Sequence, residues 1–217
     1  MTAPLLIALE DAVLARLRDG LGRLAATVAP YGGELDAPAA TLPDGFPAVW
    51  TGFHQVLRCE RYGTGRDRYK ADARLLVRLA DRDVRPLADG TAAAVPGGSG
   101  AYPLLYAVQR LLTAQDLGLP VDPLVPGYVR RLRDVQRQPL PFAAFACEFR
   151  TSWFVDALPA GHWPAPQSAD DPDALLARYH GRLDAPAADW LSTALDYRLT
   201  PGDDRSDARD VVVHTAH

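Results

Sequence analysis

Between Tyr69 and Ala80 two classes of residue alternate without a break. Tyr69, Ala71, Ala73, Leu75, Val77 and Leu79 take one set of positions, and Lys70, Asp72, Arg74, Leu76, Arg78 and Ala80 take the other. Successive side chains of a strand leave opposite faces, so this pattern predicts a strand with one face in a core and one charged face in water. An antiparallel sheet covered on a single side accommodates such a strand. Upstream, Ala48 to Arg61 contains Val49, Trp50, Phe53, Val56 and Leu57, and Tyr62-Gly63-Thr64-Gly65-Arg66 joins it to the alternating stretch. A glycine-containing link of that length predicts one long hairpin.

Two segments have the period of a covering helix. From Leu5 to Leu24, Leu5, Leu6, Leu9, Val13, Leu14, Leu17, Leu21 and Leu24 recur at steps of three and four, with Thr2 as the expected N-cap. From Tyr102 to Leu117, Leu104, Leu105, Val108, Leu111 and Leu112 repeat the spacing, and Gly118 followed by Pro120 predicts the stop. Tyr128 to Val135 and Phe142 to Trp153 read as two further strands. The order helix, strand, strand, helix, strand, strand predicts an α+β domain over residues 1–155: a mainly antiparallel four-stranded sheet with two helices packed on one face. Val28 to Gly45 reads as loop with one short strand at most, and Asp83 to Gly100, lacking bulky apolar residues, as a mobile loop. Residues 156–217 form a C-terminal extension. In it Asp173 to Leu183 is a short helix candidate and Trp163, Trp190, Tyr197 and Val211-Val212-Val213 are isolated apolar positions.

Charge separates the two parts. Residues 1–155 carry 18 Arg and Lys against 16 Asp and Glu, whereas residues 156–217 carry 5 against 11. The extension is acidic and too poor in apolar residues for a core of its own, which predicts an interaction arm. Arg66, Arg68, Arg74 and Arg78, and again Arg130, Arg131, Arg133 and Arg137, could line a nucleic-acid surface, but Asp67, Asp72, Asp81, Asp83 and Asp134 interrupt them and no aromatic residues alternate with them to stack bases. A solvated or subunit-facing sheet side fits better. The candidate contact residues are therefore Arg66, Arg68 and Lys70 on the hairpin, Arg130, Arg131 and Arg133 on the third strand, and Trp163, Trp190 and Tyr197 on the arm.

Enzyme chemistry finds no support in spacing. The five histidines at 54, 162, 180, 214 and 217 form no i, i+4 pair and no HExxH arrangement. Cys59 and Cys147 fall in different predicted strands, where a small buried thiol is the ordinary reading. Gly97-Gly98-Ser99-Gly100 lacks the Gly-Lys-Ser/Thr ending of a phosphate loop and reads as linker. No catalytic residue, metal or cofactor is expected. The apolar stretch Leu5 to Leu9 runs into Glu10 and Asp11, so neither a leader nor a membrane span is expected.

The run Gly100-Ala101-Tyr102-Pro103-Leu104-Leu105-Tyr106-Ala107-Val108, continued by Leu111-Leu112-Thr113-Ala114-Gln115-Asp116-Leu117-Gly118-Leu119, resembles the gene product 37 family of Mu-like contractile-tailed phages. The order of elements is similar too: a Glu-Asp-Ala-Val-Leu-Ala-Arg-Leu helix at Glu10 to Leu17, a strand after an Arg-rich turn, Leu124-Val125-Pro126-Gly127, and a closing strand at Phe145 to Thr151. The likeness covers about residues 5 to 153. It implies a tail-terminator-like fold and a structural role in the virion neck. That role is a ring, taken as a hexamer, which caps the head-proximal end of tail tube and sheath, ends polymerisation and joins tail to head. Its implied partners are other copies of itself, the tail tube protein, the tail sheath protein and a head-completion or connector protein, with genomic DNA passing through the lumen without sequence-specific binding. The hairpin and residues 83–100 are the candidate contact elements. The rival readings are a cytosolic assembly factor outside the particle and an enzyme with an unrecognised site.

Overall fold

A computed structural model describes residues 3–35, 45–63, 67–81, 84–86, 92–94, 101–132, 143–185, 192–197 and 208–213. They belong to two compact units, Ala3–Pro159 and Ala160–His217.

In the larger unit, helix α1 (Leu5–Leu21) buries Leu9, Val13, Leu14, Leu17 and Leu21, the stripe its period predicts. It stops earlier than Leu24 because Gly22 turns to φ +49°, and a 3-10 turn, Gly22–Leu24, follows. Pro4 takes the N-cap position without a side-chain hydrogen bond; Thr2 lies outside the described residues. Helix α2 (Ala101–Leu112) buries Ala101, Leu104, Val108 and Leu112. It ends well before Leu117, since Ala114 adopts φ 59° and its N–H donates to the Leu124 carbonyl at 2.8 Å. Gly118, at φ +70°, closes the next turn instead of the helix. The helices touch at Gly20, where an added Cβ would run into the Leu111 side chain, and Arg16 Nε donates to the Leu111 carbonyl at 2.6 Å.

The main sheet has five strands, β1 (Thr27–Pro30), β2 (Ala48–Arg61), β3 (Arg68–Asp81), and, numbered past a small pair described below, β6 (Val125–Arg131) and β7 (Ala143–Asp156), in the order β1-β2-β3-β7-β6. This corrects the expected four strands to five, in a mainly antiparallel sheet. Strand β1 pairs in parallel with β2, Thr27 opposite Ala48 through Pro30 opposite Thr51, so the sheet is mixed. Four residues are too few to show a period, and their partner is distant in sequence; only closure of the fold brings them together. The hairpin β2–β3 and the pairs β3–β7 and β7–β6 are antiparallel.

One face of the sheet meets both helices. Ala71, Ala73, Leu75, Val77 and Leu79 of β3, Val49 of β2 and Cys147, Phe149 and Trp153 of β7 join the helical stripes in a single buried cluster. The opposite face is not simply wet, as the charged positions predicted. Ala48, Trp50, Ala80 and Ala144 are buried there under Ala29, Tyr31, Leu35, Phe46 and Leu132, and Arg78 stacks 3.8 Å from the Tyr31 ring centre. The chain after β1 folds back over this half, which strand periodicity cannot foretell.

Residues 83–100, expected to be loop, include the antiparallel pair β4 (Val84–Pro86) and β5 (Ala92–Ala94); the rest lies outside the described residues. Main-chain pairing needs no bulky side chains, so the alanine run carried no signal of it. The third-strand expectation, Tyr128 to Val135, becomes Val125–Arg131, with residues 133–142 outside the described set. In the smaller unit the helix candidate shortens to α3 (Ala174–Arg178). Strands β8 (Ser192–Tyr197) and β9 (Ala208–Val213) form an antiparallel hairpin that periodicity did not reveal.

Candidate functional site

The half of the sheet left uncovered by the β1 segment carries a ladder of charges. Lys70, Asp72 and Arg74 of β3 lie on the same face as Glu148, Arg150 and Ser152 of β7, because Lys70 stands opposite Phe154 and Arg74 opposite Arg150. Two register shifts in β2, between Phe53 and Gln55 and between Val56 and Arg58, bring Arg58 opposite Asp72 and Glu60 opposite Lys70. Continued from Ala48 opposite Ala80 without those bulges, the strand would set Arg58 against Lys70. The bulges thus turn a like-charge opposition into two opposite-charge ones. Arg58 Nε reaches Asp72 Oδ2 at 2.6 Å.

Asp122, in the turn before β6, accepts from Lys70 Nζ at 2.8 Å and from the Ser152 hydroxyl. Lys70 first and Ser152 second hold its carboxyl below the usual aspartate range. The same contacts, with Asp122 and Asp72 as partners, raise Lys70 and Arg58 above their ordinary values. Glu148 is 2% exposed and lies between two arginines, with Arg74 Nε 3.2 Å from Oε2 and Arg150 Nε 3.2 Å from Oε1. The Arg74 approach is misaligned for a hydrogen bond, so both of its atoms are buried as a bare ion pair. Glu148 also crosses Gly127 of β6, where a Cβ would fall 2.6 Å from Oε1 and 3.1 Å from its Cβ.

A cleft of about 360 Å³ opens over this ladder, lined among others by Arg58, Asp72, Asp122, Arg150 and Ser152. Its carboxylates are each held by a cation. Such an arrangement makes a surface of fixed charge pattern. Among the described residues no three His, Cys, Asp or Glu side chains gather as a metal would require. Cys147 is buried and its thiol is pushed up to about 12 by desolvation, while Cys59 is exposed.

The candidate contact residues scatter over the chain. Arg68 pairs with Asp156 at 2.6 Å and stacks 4.6 Å from the Phe154 ring centre, where Lys70 and Tyr62 also meet that ring. Arg130 and Arg131 are exposed on β6, opposite Ala146 and Phe145, hence on different faces, and neither has an acidic partner among the described residues. Trp163 lies under the Arg182 guanidinium at 4.8 Å, and its backbone N–H donates to Asp184 Oδ2 at 2.9 Å; Tyr197 is half-exposed on β8. Arg66, Arg133 and Trp190 lie outside the described residues. Sequence reasoning missed Asp122, Glu148 and Gly127. The one available signal was Glu148 standing between the apolar Cys147 and Phe149, a charge that burial must pair.

A family model described as Bacteriophage Mu, Gp37 matches residues 5–154. No curated protein matches the chain. Among solved structures, a chain titled "Virion of native gene transfer agent (GTA) particle" is similar at 18% identity, with 66% of this chain and 92% of that chain covered and a TM-score of 0.43. Among the described residues no helix is long and apolar enough to cross a membrane.

Proposed function

The chain belongs to the Bacteriophage Mu Gp37 family, and from that premise we propose that it is a structural protein of the virion that closes into a ring on the head-proximal end of the tail tube. The family match from residue 5 to residue 154 carries this reading, because it spans the chain from α1 into the last residues of β7. The ladder supports it: cations and carboxylates that neutralise one another make a surface of fixed charge pattern, which serves recognition and needs no catalytic group.

In the ring, taken as a hexamer, copies join by heterologous contacts, so each must present two different and complementary surfaces. The β6 edge, which ends the sheet, offers one such place. The two rims of the ring then differ in chemistry. One meets tube and sheath proteins and ends their polymerisation, and the other meets a head-completion or connector protein, with DNA crossing the lumen unread.

Negative-stain imaging of the purified protein, alone and mixed with tail tubes, tests the reading. Rings that sit on one end of each tube and limit its growth are expected. Dispersed copies that leave tubes unbound, together with absence of the chain from purified particles, would replace it by an assembly factor that never enters the virion.

A further inference from the structure

Strand β6 ends the sheet and pairs only with β7 among the described residues. Val125, Tyr128 and Val129 are exposed on it, and so are Arg130 and Arg131. An edge of this kind is a template for another strand, and Arg130 and Arg131, without an acidic partner among the described residues, select which strand it accepts. A basic partner is repelled. An acidic, amphipathic one is attracted.

The chain carries a segment of that chemistry. The β8–β9 hairpin exposes Leu195 and Tyr197 on one strand and Val211 and Val212 on the other. Asp196 and Asp210 stand beside these residues, and Arg209 is the one base in the two strands. The hairpin lies in the segment 156–217, which holds 5 basic residues against 11 acidic ones. Two strands alone are marginal in water, so four exposed large apolar side chains on such a pair call for a third strand.

We infer that the β8–β9 hairpin of one copy docks on the β6 edge of the next, extending its sheet and pairing Arg130 and Arg131 with acids of the neighbour's arm. The inference rests on the ring reading above. It names the head-to-tail contact that such a ring requires: one chain bears both a basic edge and an acidic hairpin, two unlike surfaces that match between copies.

Full-length chains test it. In a Cys59→Ser background, Tyr128→Cys and Leu195→Cys are made separately, mixed and oxidised, with each variant oxidised alone as the control. A covalent dimer formed only in the mixture is expected, and the chain carrying both changes should give a ladder of linked copies. Crosslinking confined to single chains, or absent while rings form, overturns the inference. A second arm uses charge. Arg130→Glu with Arg131→Glu should raise the concentration for half-assembly at least tenfold, and adding Asp196→Arg with Asp210→Arg should restore most of it. Circular dichroism melts check that each variant folds. Rings of undiminished stability in the Arg130→Glu, Arg131→Glu chain leave the ring reading standing and remove this contact; wild-type chains that form no ring at any concentration remove both.

Discussion

Replacing Glu148 by alanine removes the carboxylate that lies between Arg74 and Arg150. Breaking a fully buried ion pair from one side costs about 3–5 kcal/mol, because the charge left behind has lost its partner and its water. Here the stranded groups retain some solvent: the Arg74 side chain is 28% exposed and Arg150 55%. That relief brings the electrostatic loss down to about 2 kcal/mol. The buried Cγ methylene adds roughly 0.8 kcal/mol, for a total of about 2–3 kcal/mol. In a chain of this size the loss lowers Tm by roughly 5–10 °C. Urea unfolding followed by the fluorescence of the buried Trp50 and Trp153 reads the change in the larger unit. Arg74→Met should cost more than Arg150→Met, since Arg150 reaches water more easily. A Glu148→Ala chain within about 0.5 kcal/mol of the parent would refute the account, because the carboxylate would then not be needed to hold the two cations.

Gly127→Ala should destabilise the larger unit by about 1–3 kcal/mol in the same assay, since the new Cβ meets both Oε1 and Cβ of Glu148 and the latter moves only with the strand. Asp122 titrates below its ordinary value in the folded state, so its contribution is fully present above the unfolded value of about 3.9 and is lost as pH falls through the lower, folded one. Urea melts across the acid range should show that loss in the parent and a flatter curve in Asp122→Asn. A maleimide reagent should label Cys59 alone in the native chain and both cysteines in urea, because Cys147 is buried and burial pushes its thiol up to about 12; rapid native labelling of two thiols would contradict the burial.

Local sequence determined the elements with long, regular periods. Alternation over Tyr69 to Ala80 and three-four spacing in α1 and α2 each set which face is buried, since a side chain's direction follows from its position in the strand or helix. The helix stripes and the odd-numbered face of β3 therefore meet in one core, as their patterns require. The family resemblance was likewise legible in linear runs such as Gly100 to Leu119. Tertiary structure decided what depends on residues far apart in the chain. The parallel addition of β1, the cover that Ala29 and Tyr31 give the Trp50 cluster, the shift that puts Arg58 against Asp72 and the burial of Glu148 across Gly127 each join residues far apart in the chain. No local period encodes such pairings, because the free energy that selects them arises only when the sheet has closed and each charge has met the partner that its burial demands.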